Sequence, residues 1–147
     1  MKIDDEGLNF IASQESFRAS PYKDIAGNLT IGYGHFIKPG EKFTVLTEAA
    51  AKHLLFLDAE TAMNCVNKAV NVKLTQNQFN ALVDFTYNLG CGALNDSTLL
   101  KLLNQGEYTQ ASEQFGRWVY AGGKKIPDLI RRRGLEQKMF DEGMVST

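Results

Sequence analysis

Between Pro21 and Ile37 the chain is cut by glycine into short extended pieces, and this interruption constrains the fold more than any other feature. Tyr22-Lys23-Asp24 leads into a turn at Ala26-Gly27-Asn28, and Leu29-Thr30-Ile31-Gly32-Tyr33-Gly34-His35 follows. Extended residues bounded by such turn signals predict a small, strongly turned antiparallel sheet. Lys38-Pro39-Gly40 closes it, and on both sides the apolar spacing becomes that of helices. Leu8, Ile11, Ala12 and Glu15 fall at i, i+3, i+4 and i+7, one face of a helix over about 4–16. A carboxylate ends that apolar stripe. Glutamate is rarely buried without compensation, so Glu15 is expected at the edge of the core.

Downstream, Thr47 caps a helix expected to run to about Val70, with Ala51, Leu54, Leu55, Asp58, Ala62 and Cys65 on one stripe. Thr75-Gln76-Asn77-Gln78 has the spacing of a capping box, and Gly90 is placed to end the helix it opens. Further helices are expected over about 97–104, 109–120 and 127–140, broken at Gly106 and at Gly122-Gly123. The predicted class is α+β and mainly helical. It is a single domain over 1–147, with a sheet-containing lobe over about 16–46, a connecting helix over about 47–70, and a helical lobe over about 71–147 that includes the N-terminal helix.

With 147 residues, 44% of them hydrophobic, the chain can bury one sizeable core. A net charge of −1 gives no support to general binding of nucleic acid or membranes. No apolar run reaches the roughly 18 residues of a membrane span, and Met1-Lys2-Ile3-Asp4-Asp5-Glu6 lacks the pattern of a signal peptide. Synthesis as a soluble cytosolic protein is therefore expected. Arg117, Lys124, Lys125, Arg131, Arg132 and Arg133 stand against one acid, Asp128, a surplus that suits a polyanionic polymer or an ordinary solvated helix face. Cys65 and Cys91 have no C-x-x-C spacing and no histidine pair nearby, so no metal site is expected and both are read as buried free thiols, with a structural disulfide as the lesser alternative. His53 and Asp58 are read as a surface residue and a helix-packing residue.

Hydrolysis of a glycosidic bond needs a carboxylic acid beside the leaving oxygen and a second carboxylate to activate water or to attack the sugar. Glu15 at a helix end and Asp24 at a tight turn are candidates for these roles, and the Thr30 hydroxyl is suited to holding a water beside Asp24. Each also has an ordinary structural reading, as a helix-end acid, a turn residue and a strand residue.

Eight residues separate Glu15 from Asp24 and five separate Asp24 from Thr30, and the whole run from Glu15 to His35 closely resembles the active-site segment of phage-type lysozymes, glycoside hydrolase family 24. Gln78 to Gly90 resembles that family's central helix and Ser97 to Asn104 the next one. Trp118, Gly122-Gly123 and Leu129 to Arg133 resemble its C-terminal segment. Asp128 departs from the pattern, which usually carries glycine there.

The resemblance implies a two-lobed, lysozyme-like fold with a glycan cleft between the lobes, and catalytic Glu15, Asp24 and Thr30. It places Tyr87 and Asn88 at cleft positions that bind substrate and makes His35 structural. The implied reaction is muramidase hydrolysis of peptidoglycan glycan strands, with no cofactor. The implied protein is a monomer held in the host cytoplasm until a holin gives it access to the wall. A lytic transglycosylase or a non-catalytic wall-binding module on the same fold are the alternatives. Thr30 favours water activation over direct attack, so wide carboxyl spacing and inversion at the anomeric carbon are expected.

Overall fold

The computed structural model describes residues 1–142. Residues 143–147, which the expected helical lobe includes, lie outside that range. The elements run α1 (Asp5–Gln14), β1 (Arg18–Lys23), β2 (Leu29–Gly32), β3 (His35–Phe36), α2 (Glu48–Asp58), α3 (Glu60–Ala69), α4 (Gln76–Leu89), α5 (Cys91–Asn95), α6 (Thr98–Asn104), α7 (Tyr108–Glu113), β4 (Tyr120–Ala121), β5 (Lys124–Lys125) and α8 (Pro127–Glu142). They pack as two compact units, Leu8–Glu60 and Met1–Gly7 with Thr61 onward. No described helix is long and apolar enough to cross a membrane.

Helix ends follow local chemistry. Asp4 Oδ1 accepts the Gly7 N–H at 3.0 Å, and Asp5 and Glu6 occupy the positive first turn of α1. Thr47 caps α2 and Ser97 caps α6, each accepting from the third residue on. Thr75 and Gln78 form both halves of a capping box on α4. Pro127 opens α8, where its missing N–H costs nothing, and Asp128 sits in that helix's first turn. The departure at Asp128 is thus absorbed as a favourable charge at a helix N-terminus.

The helix expected over 47–70 is instead two. α2 ends at Asp58, Ala59 turns its N–H to the carbonyls of Leu55 and Leu57, and α3 starts at Glu60. Apolar spacing continues across the interruption because neither glycine nor proline marks it. Over 109–120 the helix is also shorter than expected: α7 stops at Glu113, and a single 3-10 turn over Phe115–Arg117 leads to a hairpin, β4 with β5, turning at Gly122-Gly123.

In the unit from Leu8 to Glu60, β1, β2 and β3 form an antiparallel sheet in that order. Ile31 is fully buried, as are Ile11 on α1 and, nearly, Leu55 on α2. Gly32 ends β2 at φ +69°, and a Cβ there would meet the Ala51 Cβ of α2 at 3.3 Å, so both backbone angle and close approach call for glycine. In the larger unit α4 packs on α8. Phe85 meets Phe115 edge-on at 5.7 Å and Trp118 at 5.4 Å, and Phe115 meets Phe140 at 5.6 Å. Each such ring buries 150–250 Å² as a rough range, so this cluster anchors the helices.

The cysteines are not free: Cys65 of α3 and Cys91 at the start of α5 form a disulfide, with Cα atoms 5.9 Å apart. The pairing joins residues 26 apart in sequence with the whole of α4 between them. Local spacing carries no trace of it, because the two sulfurs meet only once residues far apart in sequence have folded together.

Candidate active site

The β1–β2 hairpin organises Asp24 and Thr30. Asp24 follows β1 directly, and its N–H donates to the Asn28 carbonyl at 2.9 Å while its own carbonyl accepts the Gly27 N–H at 2.9 Å. Gly27 takes φ +85°, the left-handed conformation that such a turn requires. The side chain is fixed by the same residue: the Asn28 N–H donates to Asp24 Oδ1 at 2.8 Å and Asn28 Nδ2 to Oδ2 at 3.4 Å. Thr30, paired with Tyr22 across the hairpin and only 2% exposed, donates its hydroxyl hydrogen to the Asn28 carbonyl at 3.0 Å. Asn28 thus ties the carboxylate to the hydroxyl. It reads in sequence only as a turn residue, and the side-chain bond to Asp24 emerges once the turn is closed.

Glu15 is half-buried one residue beyond α1, its N–H donating to the Ala12 carbonyl at 3.2 Å. Three residues later Arg18 opens β1 opposite Gly32. Between Arg18 and Tyr22 the strand carries Ala19, Ser20 and Pro21, whereas the facing stretch from Gly32 to Thr30 carries Ile31 alone. This bulge compresses the axial span from Arg18 to Tyr22 towards two residues of strand, about 7 Å, where a regular strand would need about 13 Å. Pro21 belongs there because it has no N–H for the ladder. The Ala19 carbonyl, displaced from the ladder, accepts the Leu46 N–H at 2.8 Å. The bulge therefore shortens the path between the Glu15 end of the strand and its Asp24 end.

His35 on β3 is buried and bridges two acids, with Nδ1 at 2.8 Å from Asp58 Oδ2 and Nε2 at 3.0 Å from Glu41 Oε1. Burial pulls its pKa down, but the hydrogen bonds and charges of Asp58 and Glu41 outweigh that and raise it above the ordinary value. Glu41 is held below its ordinary pKa by the Lys38 N–H first and by His35 second. His35 is thus structural, as the resemblance implied, and His53 is a surface residue. Glu41 was not anticipated, since nothing local marks it as a partner of His35.

The phage lysozyme family model matches residues 12–136. The chain belongs to the phage lysozyme family. An endolysin of Bacillus phage PZA is 41% identical over 97% of this chain and 56% of its own length, so the chain spans little more than half of that relative. The endolysin of Escherichia coli O157:H7 phage FAHEc1 superposes with a TM-score of 0.86 at 34% identity, covering 100% of this chain and 98% of that one. The muramidase domain of SpmX from Asticaccaulis excentricus superposes with a TM-score of 0.84 at 34% identity, covering 95% of this chain and 97% of that one. The fold is thus that of the lysozymes, mainly helical with a small antiparallel sheet.

In this member of the family Tyr87 and Asn88 occupy the last turn of α4, Tyr87 half-buried and Asn88 exposed. Asn88 Oδ1 accepts from Arg133 Nη2 at 2.8 Å, which orients the amide. The arginine run is not a solvated face throughout. Arg132 grips Asp84 with two bonds, Nε to Oδ2 at 2.9 Å and Nη2 to Oδ1 at 2.7 Å, while Arg133 lies over Phe85 and donates to Glu136 at 2.9 Å. All four charged groups are buried. Burial first, and then the neighbouring Asp84, raise the Glu136 pKa, against the pull of Arg133. Arg131 stays exposed, 3.9 Å from Asp128. Among the described residues no group of three His, Cys, Asp or Glu side chains is placed to hold a metal ion.

Proposed function

We propose that the protein is a muramidase that hydrolyses the β-1,4 bond between N-acetylmuramic acid and N-acetylglucosamine in bacterial peptidoglycan. Glu15 protonates the leaving oxygen, and Asp24, with Thr30, positions and deprotonates the attacking water. The observation that carries this reading is the link from Asp24 through Asn28 to Thr30, which sets a carboxylate and a hydroxyl on one turn. A carboxylate that attacked the sugar itself would have no use for such a partner, so the reaction inverts configuration.

Tyr87 supplies an aromatic face to a sugar ring, and Asn88, whose Oδ1 is engaged by Arg133, supplies its Nδ2 as a donor. The endolysin relatives support a role in host lysis, and the muramidase domain of SpmX supports the bond specificity. On this reading the enzyme works as a monomer without a cofactor, is held in the host cytoplasm, and reaches the wall after a holin opens the membrane.

The test is loss of turbidity by permeabilised Gram-negative cells, followed by mass spectrometry of the released fragments. Muropeptides with an ordinary reducing end are expected. Anhydro sugars would make the enzyme a lytic transglycosylase, and binding without cleavage would make it a wall-binding module. Proton NMR of the first-formed reducing end should show the α anomer, and a β product would assign Asp24 as a nucleophile.

A further inference from the structure

We infer that Asn28 is a positioning residue whose backbone leaves Thr30 able only to accept a hydrogen bond from the attacking water and whose side chain steers Asp24 Oδ2 as the base oxygen. The inference rests on the functional reading above. A threonine hydroxyl has one hydrogen and two lone pairs. Here the hydrogen is committed to the Asn28 carbonyl at 3.0 Å, so what Thr30 offers a water is a lone pair. That carbonyl also accepts the Asp24 N–H at 2.9 Å, so both of its lone pairs are engaged. On the carboxylate, Oδ1 is tied by the Asn28 N–H at 2.8 Å, whereas among the described residues Oδ2 is touched only by Nδ2 at 3.4 Å and keeps acceptor capacity. One residue thus fixes the polarity of both partners.

The polarity matters for the nucleophile. A water lodged between Asp24 Oδ2 and Thr30 Oγ1 points one hydrogen at each, and its lone pairs are left for the anomeric carbon. If Thr30 donated instead, its hydrogen would take one of the two lone pairs and make the oxygen that attacks a weaker nucleophile. In the step itself the water oxygen bonds to the anomeric carbon and one water proton passes to Asp24 Oδ2. The second proton stays on the new anomeric hydroxyl, facing Thr30. The glycosidic C–O bond breaks, its electron pair goes to the leaving oxygen, and that oxygen takes the Glu15 proton. The Nδ2 contact steers Oδ2 without capturing it, because at 3.4 Å it is long and exposed.

The experiment measures kcat and KM on soluble peptidoglycan fragments for the intact chain, alongside melting temperature. Asn28→Ala, which keeps the backbone bonds and removes only the long Nδ2 contact, should lower kcat about fivefold, the scale of one ordinary hydrogen bond, with KM unchanged. Asn28→Asp should fall further, about fiftyfold below wild type, because an isosteric carboxylate cannot donate and repels Asp24. Asn28→Ser, too short to reach Oδ2, should match Asn28→Ala and serves if the alanine variant folds poorly. In a Thr30→Val background Asn28→Ala should have less than half of its effect, since coupled residues are not additive. Unchanged kcat in Asn28→Ala and Asn28→Ser, an Asn28→Asp variant more active than Asn28→Ala, or strict additivity with Thr30→Val would overturn the inference while leaving the muramidase reading intact. A wild-type chain that releases no reducing ends would overturn both.

Discussion

Charged groups are held in two different ways in the two units of this protein. In the segment from Leu8 to Glu60 the acids are fixed by turn backbone and by single side-chain partners: Asp24 by the Asn28 N–H, Glu41 by the Lys38 N–H and His35. Asp24 and Glu41 keep access to water, with Glu41 about a third exposed. On α4 and α8, Asp84, Arg132, Arg133 and Glu136 are buried and neutralise each other through side chains. Turn chemistry leaves carboxylate oxygens open to water, whereas burial closes them off. The first arrangement suits catalysis and the second suits stability, so substitutions in the two units should separate the two properties.

The largest effect is expected at Glu15. Glu15→Gln removes the proton donor while keeping its shape, so hydrolysis should fall by about a thousandfold or more with little change in melting temperature. Near wild-type turbidity clearing by this variant would break the comparison at its catalytic end. Asp84→Ala is the counterpart in the helical unit. It leaves Arg132 buried without its carboxylate and should cost about 3–5 kcal/mol in urea unfolding. A loss under about 1 kcal/mol would mean that the arginine is satisfied without Asp84.

Next comes the disulfide between α3 and α5. Replacing both cysteines by alanine frees a loop of 26 residues in the unfolded chain, which should cost about 3.5 kcal/mol by loop entropy. Activity below the lowered melting temperature should persist, because no proposed catalytic residue lies on either cysteine's helix. Unchanged stability on reduction would show that packing of α3 on its neighbours carries the join instead.

The smallest effect is the pH dependence set by His35. Its pKa is raised by folding, so its contribution is complete below the unfolded value of about 6.5 and is lost as pH rises through the folded value. Glu41 has a lowered pKa, so its contribution is complete above its ordinary range of about 4.5 and is lost as pH falls through the folded value. The pair should therefore contribute most between about pH 4.5 and 6.5. Glu136 runs in the opposite sense from Glu41: its raised pKa favours the folded state at low pH and loses that advantage as pH rises through the folded value. His35→Gln should flatten the decline above pH 6.5, and a decline that persists in this variant would assign it to Glu136.

Much of this was legible residue by residue. Caps at Thr47, Thr75 and Ser97, glycine at turn positions and helical apolar spacing act over three or four residues, so the helices and the small sheet follow from local chemistry. The run from Glu15 to Thr30 is equally local: a helix end, a strand and a turn set out its candidate acid, base and hydroxyl in order. What tertiary structure alone decided involves partners far apart in the chain. Cys65 meets Cys91 across 26 residues, His35 meets Asp58 across 23, and Arg132 meets Asp84 across 48. Free thiols, an uninterrupted helix over 47–70 and a solvated arginine run were reasonable readings of each neighbourhood. The first two were overturned, and the third only at Arg132 and Arg133, because burial and pairing depend on which elements pack together, and a stripe of helical spacing specifies a face without naming what will cover it.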